Sequence, residues 1–88
     1  MRNEQTENIA RLIEQGAQAK ALKNNTFFSQ LMADRKSQIF EKFCRTAADD
    51  NAERDELWRT MQNLKAIERH INEAIHTAVM AAKQQGLD

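Results

Sequence analysis

His70 and His76, with Glu73 between them, are the residues of this chain best suited by type to metal binding or acid–base work. Zinc-binding helices place two ligands four residues apart, which brings both onto one face. The two histidines here are six positions apart, about 240° around a helix of 3.6 residues per turn, so they cannot converge on one ion. Glu73 is within reach of either imidazole, and a surface hydrogen bond is the expected outcome. The acidic cluster Asp49, Asp50, Glu53, Asp55 and Glu56 resembles a cation site in content only. It lacks the alternating ligands and central glycine of a calcium loop, and helix capping accounts for it. Cys44, the single cysteine, excludes an intrachain disulfide and agrees with a reducing cytosol. Beside Phe40 and Phe43 it reads as a small buried hydrophobe, with an exposed thiol joining two chains as the alternative. Neither a glycine-rich phosphate loop nor a Ser/His/Asp arrangement is present. No catalytic residue, metal or cofactor is assigned, and the chain does not read as an enzyme.

The elements that must carry these residues are all helical. With 88 residues, no proline, two glycines, no tyrosine and one valine, the composition is that of a single small α-helical domain over 1–88. A chain this short buries a marginal core. The formal charge is zero but uneven: +1 over residues 1–25, +2 over 26–48 and −3 over 49–88. The segment holding Arg35, Lys36, Lys42 and Arg45 is mildly basic, short of the face needed to displace counterions from duplex phosphates, so nucleic acid is an unfavoured partner. Met1–Thr6 has no apolar h-region, so no signal peptide is expected. The longest apolar run, Ala78–Ala82, is far too short to span a membrane.

Helical spacing predicts a first helix over about residues 4–24, with Ile9, Leu12, Ile13, Ala17 and Leu22 as its stripe and Ala10, Ala19 and Ala21 in support. Gly16 inside it reads as a tolerated glycine costing about 1 kcal/mol relative to alanine, or as a point of close approach by a partner helix. Asn25 is a plausible N-cap for a second helix over about 26–47, although a helix that merely bends there is the alternative. Phe28, Leu31, Met32, Ile39, Phe43 and Ala47 share a face that Phe27, Phe40 and Cys44 widen. All four phenylalanines lie here, so this helix is expected to supply the bulk of the core. Asp50 followed by Glu53 is a capping-box pattern opening a third helix over about 51–85, and Gly86 reads as its C-terminal cap. Its seam runs through Leu57, Met61, Leu64, Ile71, Ile75, Ala78 and Ala82. Glu68 falls at a seam position, where it either fixes register or yields as the seam rotates toward Ile67. Trp58 is expected in the core against the end of the second helix, with an interface anchor as the alternative.

A helix of this length would run roughly 50 Å against two partners of nearer 30 Å. The expected architecture is therefore an antiparallel helical hairpin or a three-helix bundle with a long C-terminal helix. Its uncovered seam suggests a homo-oligomer. The candidate interface residues are Trp58, Leu57, Met61, Leu64, Glu68, Ile71, Ile75 and Phe28.

Gln18-Ala19-Lys20-Ala21-Leu22, Asn25-Thr26-Phe27-Phe28, Phe43 with Thr46, Arg54-Asp55-Glu56-Leu57-Trp58 and Leu64-Lys65-Ala66-Ile67 follow a recurring order. Over about residues 14–82 it is similar to a family of small helical proteins of tailed bacteriophages and prophages, often encoded among virion-morphogenesis genes. Family members often have Asn-Pro where Asn25-Thr26 stands and Trp in place of Phe43. The resemblance implies no catalytic residue. It implies a protein of the bacterial host cytoplasm or the virion, acting by protein–protein contact in particle assembly. A binder that inhibits or modulates a host or defence protein is the alternative, and a nucleic-acid-binding packaging accessory the third reading.

Overall fold

In the computed structural model of the protein, residues 4–86 are described. Among them the chain forms three helices, α1 (Glu4–Lys23), α2 (Thr26–Arg45) and α3 (Asn51–Gln84). Both breaks have local causes. Asn25 leaves the helical region at φ −73° and ψ 121°, and its side chain accepts the Phe28 N–H at 2.8 Å. It satisfies a donor that the first turn of α2 would leave orphaned. The chain therefore breaks at Asn24–Asn25 rather than bending. Helix α2 ends two residues earlier than its apolar spacing suggests. Thr46 turns to extended backbone, and its hydroxyl donates to the Lys42 carbonyl at 2.7 Å.

Asp50 then caps α3, accepting the Glu53 N–H at 3.1 Å. The reciprocal half of the capping box is replaced by a turn, because the Asp50 N–H donates to the Ala47 carbonyl. Gly86 closes the far end with φ +74° and donates its N–H to the Lys83 carbonyl, a left-handed position that glycine occupies without a Cβ clash.

Helices α1 and α2 each pack on α3 and hardly touch one another. Lys23 bonds Asn72 while Gly16 lies against Ala74 and Ala78, so α1 runs antiparallel to the C-terminal half of α3. Lys36 meets Glu68 and Phe43 meets Arg54, so α2 runs antiparallel to the N-terminal half. The molecule is a hairpin with one long arm and one broken arm, 63 × 25 × 17 Å in extent. Its radius of gyration of 18.5 Å far exceeds the value of about 12 Å for a compact domain of this length.

Two arms in one layer leave little interior. Among the described residues the buried hydrophobic side chains are Ile9, Met32, Ile39 and Ala81, and none is fully buried. Several expected core positions are in fact outside. On α1, Ala10, Ala17, Ala21 and Leu22 are exposed, while Ile9 is buried and Leu12, Ile13 and Ala19 half-buried as expected, with Gly16 buried among them. Gly16 is the reason. A Cβ built there would stand 2.1 Å from the Ala78 Cβ, so its role is close helix approach rather than tolerance. On α2, Phe27 is 75% and Phe40 63% exposed, and Leu31, Cys44 and Ala47 are exposed as well. Only Phe28 and Phe43 are half-buried. A single facing helix covers a strip about as wide as one row of side chains. The wider aromatic face has nothing to pack on.

Candidate protein-contact surface

The seam itself is built from α3. Leu57, Met61, Leu64, Ile71 and Ile75 are half-buried along it, and Phe28 is half-buried on the α2 side. These candidate interface residues are thus partly spent on packing the hairpin. Glu68 stays at the edge of the seam and binds Lys36 at 2.8 Å, while Ile67 remains 45% exposed. The seam does not rotate toward Ile67, because the α2 ammonium meets the carboxylate where an apolar residue would otherwise sit. Arg54 lies over the Phe43 ring at 4.1 Å, a cation–π contact that helps cover the half-buried aromatic ring.

Trp58 is 60% exposed, contrary to its expected burial. It follows the seam residue Leu57, and one residue further along a helix turns about 100° away. The same geometry organises the whole surface. Each buried arm residue Ile9, Gly16, Met32 and Ile39 is followed by an exposed one: Ala10, Ala17, Ala33 and Phe40. In an antiparallel pair, the residue after a seam position turns to the same side on both helices. On α3 those positions are Trp58, Lys65, Asn72 and Val79, seven residues apart and all exposed.

Of these eight positions only Lys65 is charged. The positions preceding the seam turn to the opposite side and differ in kind. They are Asn8, Gln15, Leu31 and Gln38 on the arm, with Glu56, Asn63, His70 and Thr77 on α3, polar in all but Leu31. The remaining seam residues reverse the pattern: Met61, Glu68, Ile75 and Ala82 are followed by Gln62, Arg69, His76 and Lys83 and preceded by Thr60, Ile67, Ala74 and Ala81, so each side of the hairpin mixes apolar and polar groups. A shallow cleft of about 280 Å³ is lined among others by Lys23, Ala33, Lys36, Glu68 and Asn72. Its three charged groups are all engaged, Lys36 with Glu68 and Lys23 with Asn72.

The residues considered for chemistry form no common site. His70 Nδ1 is 3.5 Å from Glu73 Oε2, and Arg69 reaches the same carboxylate at 3.9 Å, all on exposed side chains. Among the described residues no group of His, Cys, Asp or Glu is arranged to hold a metal ion. Cys44 is exposed rather than buried, because it stands four residues after Phe40 on a flank of α2 that α3 does not reach. No described helix is long and apolar enough to cross a membrane. The exposure of Phe40 and Trp58 was legible in the sequence only once the seam register was known, since it depends on which neighbour of each buried residue faces out. No family model, curated protein or solved structure matches the chain.

Proposed function

We propose that the chain is a small protein of a tailed bacteriophage or prophage that acts by protein–protein contact, in virion assembly or as a virion-associated part. The observation that supports contact is the exposure of three large aromatic side chains, Phe27, Phe40 and Trp58. Large exposed aromatics are typical of binding anchors and costly to leave in water. The phage setting rests on the sequence resemblance. Its residues include Asn25, which caps α2, Leu57 and Leu64, which line the seam, and Trp58, which points away from it.

The test is recovery of the protein with purified particles, or in stoichiometric complex with a head or tail protein during particle production. Absence from both refutes the assembly role. A stoichiometric host protein recovered instead, and lost on Trp58→Ala, establishes the alternative reading of a host-directed binder.

A further inference from the structure

We propose that the cleft at the break in the arm, with the cations around it, holds a short stretch of single-stranded nucleic acid. Residues 17–37 and 65–76 meet there, where Lys23 bonds Asn72 at 2.9 Å and Lys36 bonds Glu68 at 2.8 Å. Together these segments carry six cations and three carboxylates, a net +3, and the remainder of the chain carries −3. A count by consecutive segments hides this concentration, because it draws on the end of α1, the start of α2 and the middle of α3. The three carboxylates do little to offset it. Glu68 is bonded to Lys36 and Glu73 lies 3.9 Å from Arg69. Asp34 accepts from Gln30 and stands two positions after the buried Met32, about 200° around α2 and so on its outer face. Lys23 is held by a neutral amide and keeps its whole charge. Lys20, one turn before it, and Lys65 are exposed and bond no carboxylate among the described residues.

Three features select a nucleic-acid strand as the occupant. The first is the kind of cation. Lys20, Lys23, Lys36 and Lys65 outnumber Arg69. A lysine takes a phosphate as a point charge, whereas recognition of a carboxylate favours the arginine fork. The second is the pairing of charge with an apolar lining. Beside Lys23 and Lys36 the cleft is lined by the half-buried Phe28 and Ile71 and the buried Met32, and an open groove lined by Lys65, Arg69 and His76 shares Glu68 and Asn72 with it. A strand presents the same pairing, with bases that stack on an aromatic ring and phosphates that follow the cations. The third is length. On α2 the lining runs from Phe28 to Lys36, about 12 Å. That is the reach of a few nucleotides and short of the several turns by which a groove grips an amphipathic helix. Among the described residues there is no strand edge to which an extended peptide could add. Bases paired in a duplex are not free to enter the cleft. The site stands apart from the exposed aromatics of the proposed protein contact, and neither depends on the other.

Fluorescence anisotropy of a labelled oligothymidylate of about 12 nucleotides tests the proposal, starting at about 20 mM salt. Binding should be saturable, and log affinity should fall with log salt at a slope of about −2, as for roughly three neutralised phosphates of a single strand. Lys20→Gln with Lys65→Gln should weaken binding about tenfold or more and make the slope shallower by about 1. Lys42→Gln with Arg45→Gln removes the same charge at the far end of α2 and should leave both quantities unchanged. Phe28→Leu, which keeps the seam filled, should weaken binding without changing the slope. An abasic strand of equal length, and a duplex, should each bind several-fold more weakly than the oligothymidylate. Absence of binding at about 20 mM salt, equal losses in the two double variants, or an abasic strand or duplex bound as tightly as the oligothymidylate would overturn the proposal. Poly-glutamate that displaces the strand at equal charge concentration would also overturn it and assign the patch to an acidic polypeptide.

Discussion

Replacing Gly16 by alanine isolates the one place where the hairpin arms nearly touch backbone to backbone. In an unconstrained helix interior the substitution stabilises by about 1 kcal/mol. Here the new methyl carbon would stand 2.1 Å from the Ala78 Cβ and 3.2 Å from the Ala74 carbonyl oxygen. Carbon atoms in contact settle at about 3.5–4.0 Å, so α1 and α3 must part by roughly 1.5 Å. Parting them loosens Ile9, Leu12, Ile13 and Ala19, which pack on the same seam. Overpacking of this kind costs about 1–3 kcal/mol, and the wide loosening places it toward the upper end. After the propensity gain, the net loss is about 1–2 kcal/mol, or roughly 5–15 °C in a domain of this size. Thermal and urea denaturation of Gly16→Ala, Ala78→Gly and the double variant form a cycle. Removing the Ala78 methyl should recover part of the loss, with a coupling of about 1 kcal/mol or more. Relief is incomplete because the Ala74 carbonyl remains. A Gly16→Ala protein as stable as wild type, with no coupling to Ala78, refutes the close-approach argument.

Thr26→Pro should stabilise the chain by about 0.4–1 kcal/mol in urea denaturation, because Thr26 opens α2 and Asn25 already has the extended backbone that precedes a proline; a loss of stability would show that the break is strained. Asn25→Ala and Asp50→Ala should each cost about 1 kcal/mol by the same measurement, since each removes the side-chain acceptor of a helix start. Glu68→Gln should cost under about 1 kcal/mol, with the difference from wild type shrinking as salt is added, because the Lys36–Glu68 pair is one-third exposed. Cys44 should react with a thiol reagent in native buffer as fast as in denaturant; strong native protection would contradict its exposure.

Helix identity and ends were legible because they depend on local chemistry. Asn25 and Asp50 cap whatever follows them, and Gly86 ends whatever precedes it, independent of tertiary partners. Which residues are buried depends on how many helices share the core. Phe27, Phe40, Trp58 and Cys44 read as core on the premise that a broad apolar face has a broad partner. In a two-arm layer the covered strip is narrow, so the same spacing that places Ile39 inside turns Phe40 out. Gly16 was ambiguous for a related reason. A glycine's propensity cost is visible in sequence, whereas the methyl it must avoid belongs to Ala78, 62 residues away. The register itself was obscured by Glu68, which occupies a seam position that the Lys36 ammonium explains.

The central claim is that the Trp58 side of the hairpin is a contact surface, covered when the protein is assembled. Trp58 is the sole tryptophan, so its fluorescence reports on that side without labelling. Its emission and acrylamide quenching, followed as the chain is diluted, measure the claim directly. The account predicts blue-shifted, weakly quenched emission at high concentration. On dilution this should pass to red-shifted, strongly quenched emission along a single isotherm. Emission that is fully quenchable and unchanged at every concentration would contradict it.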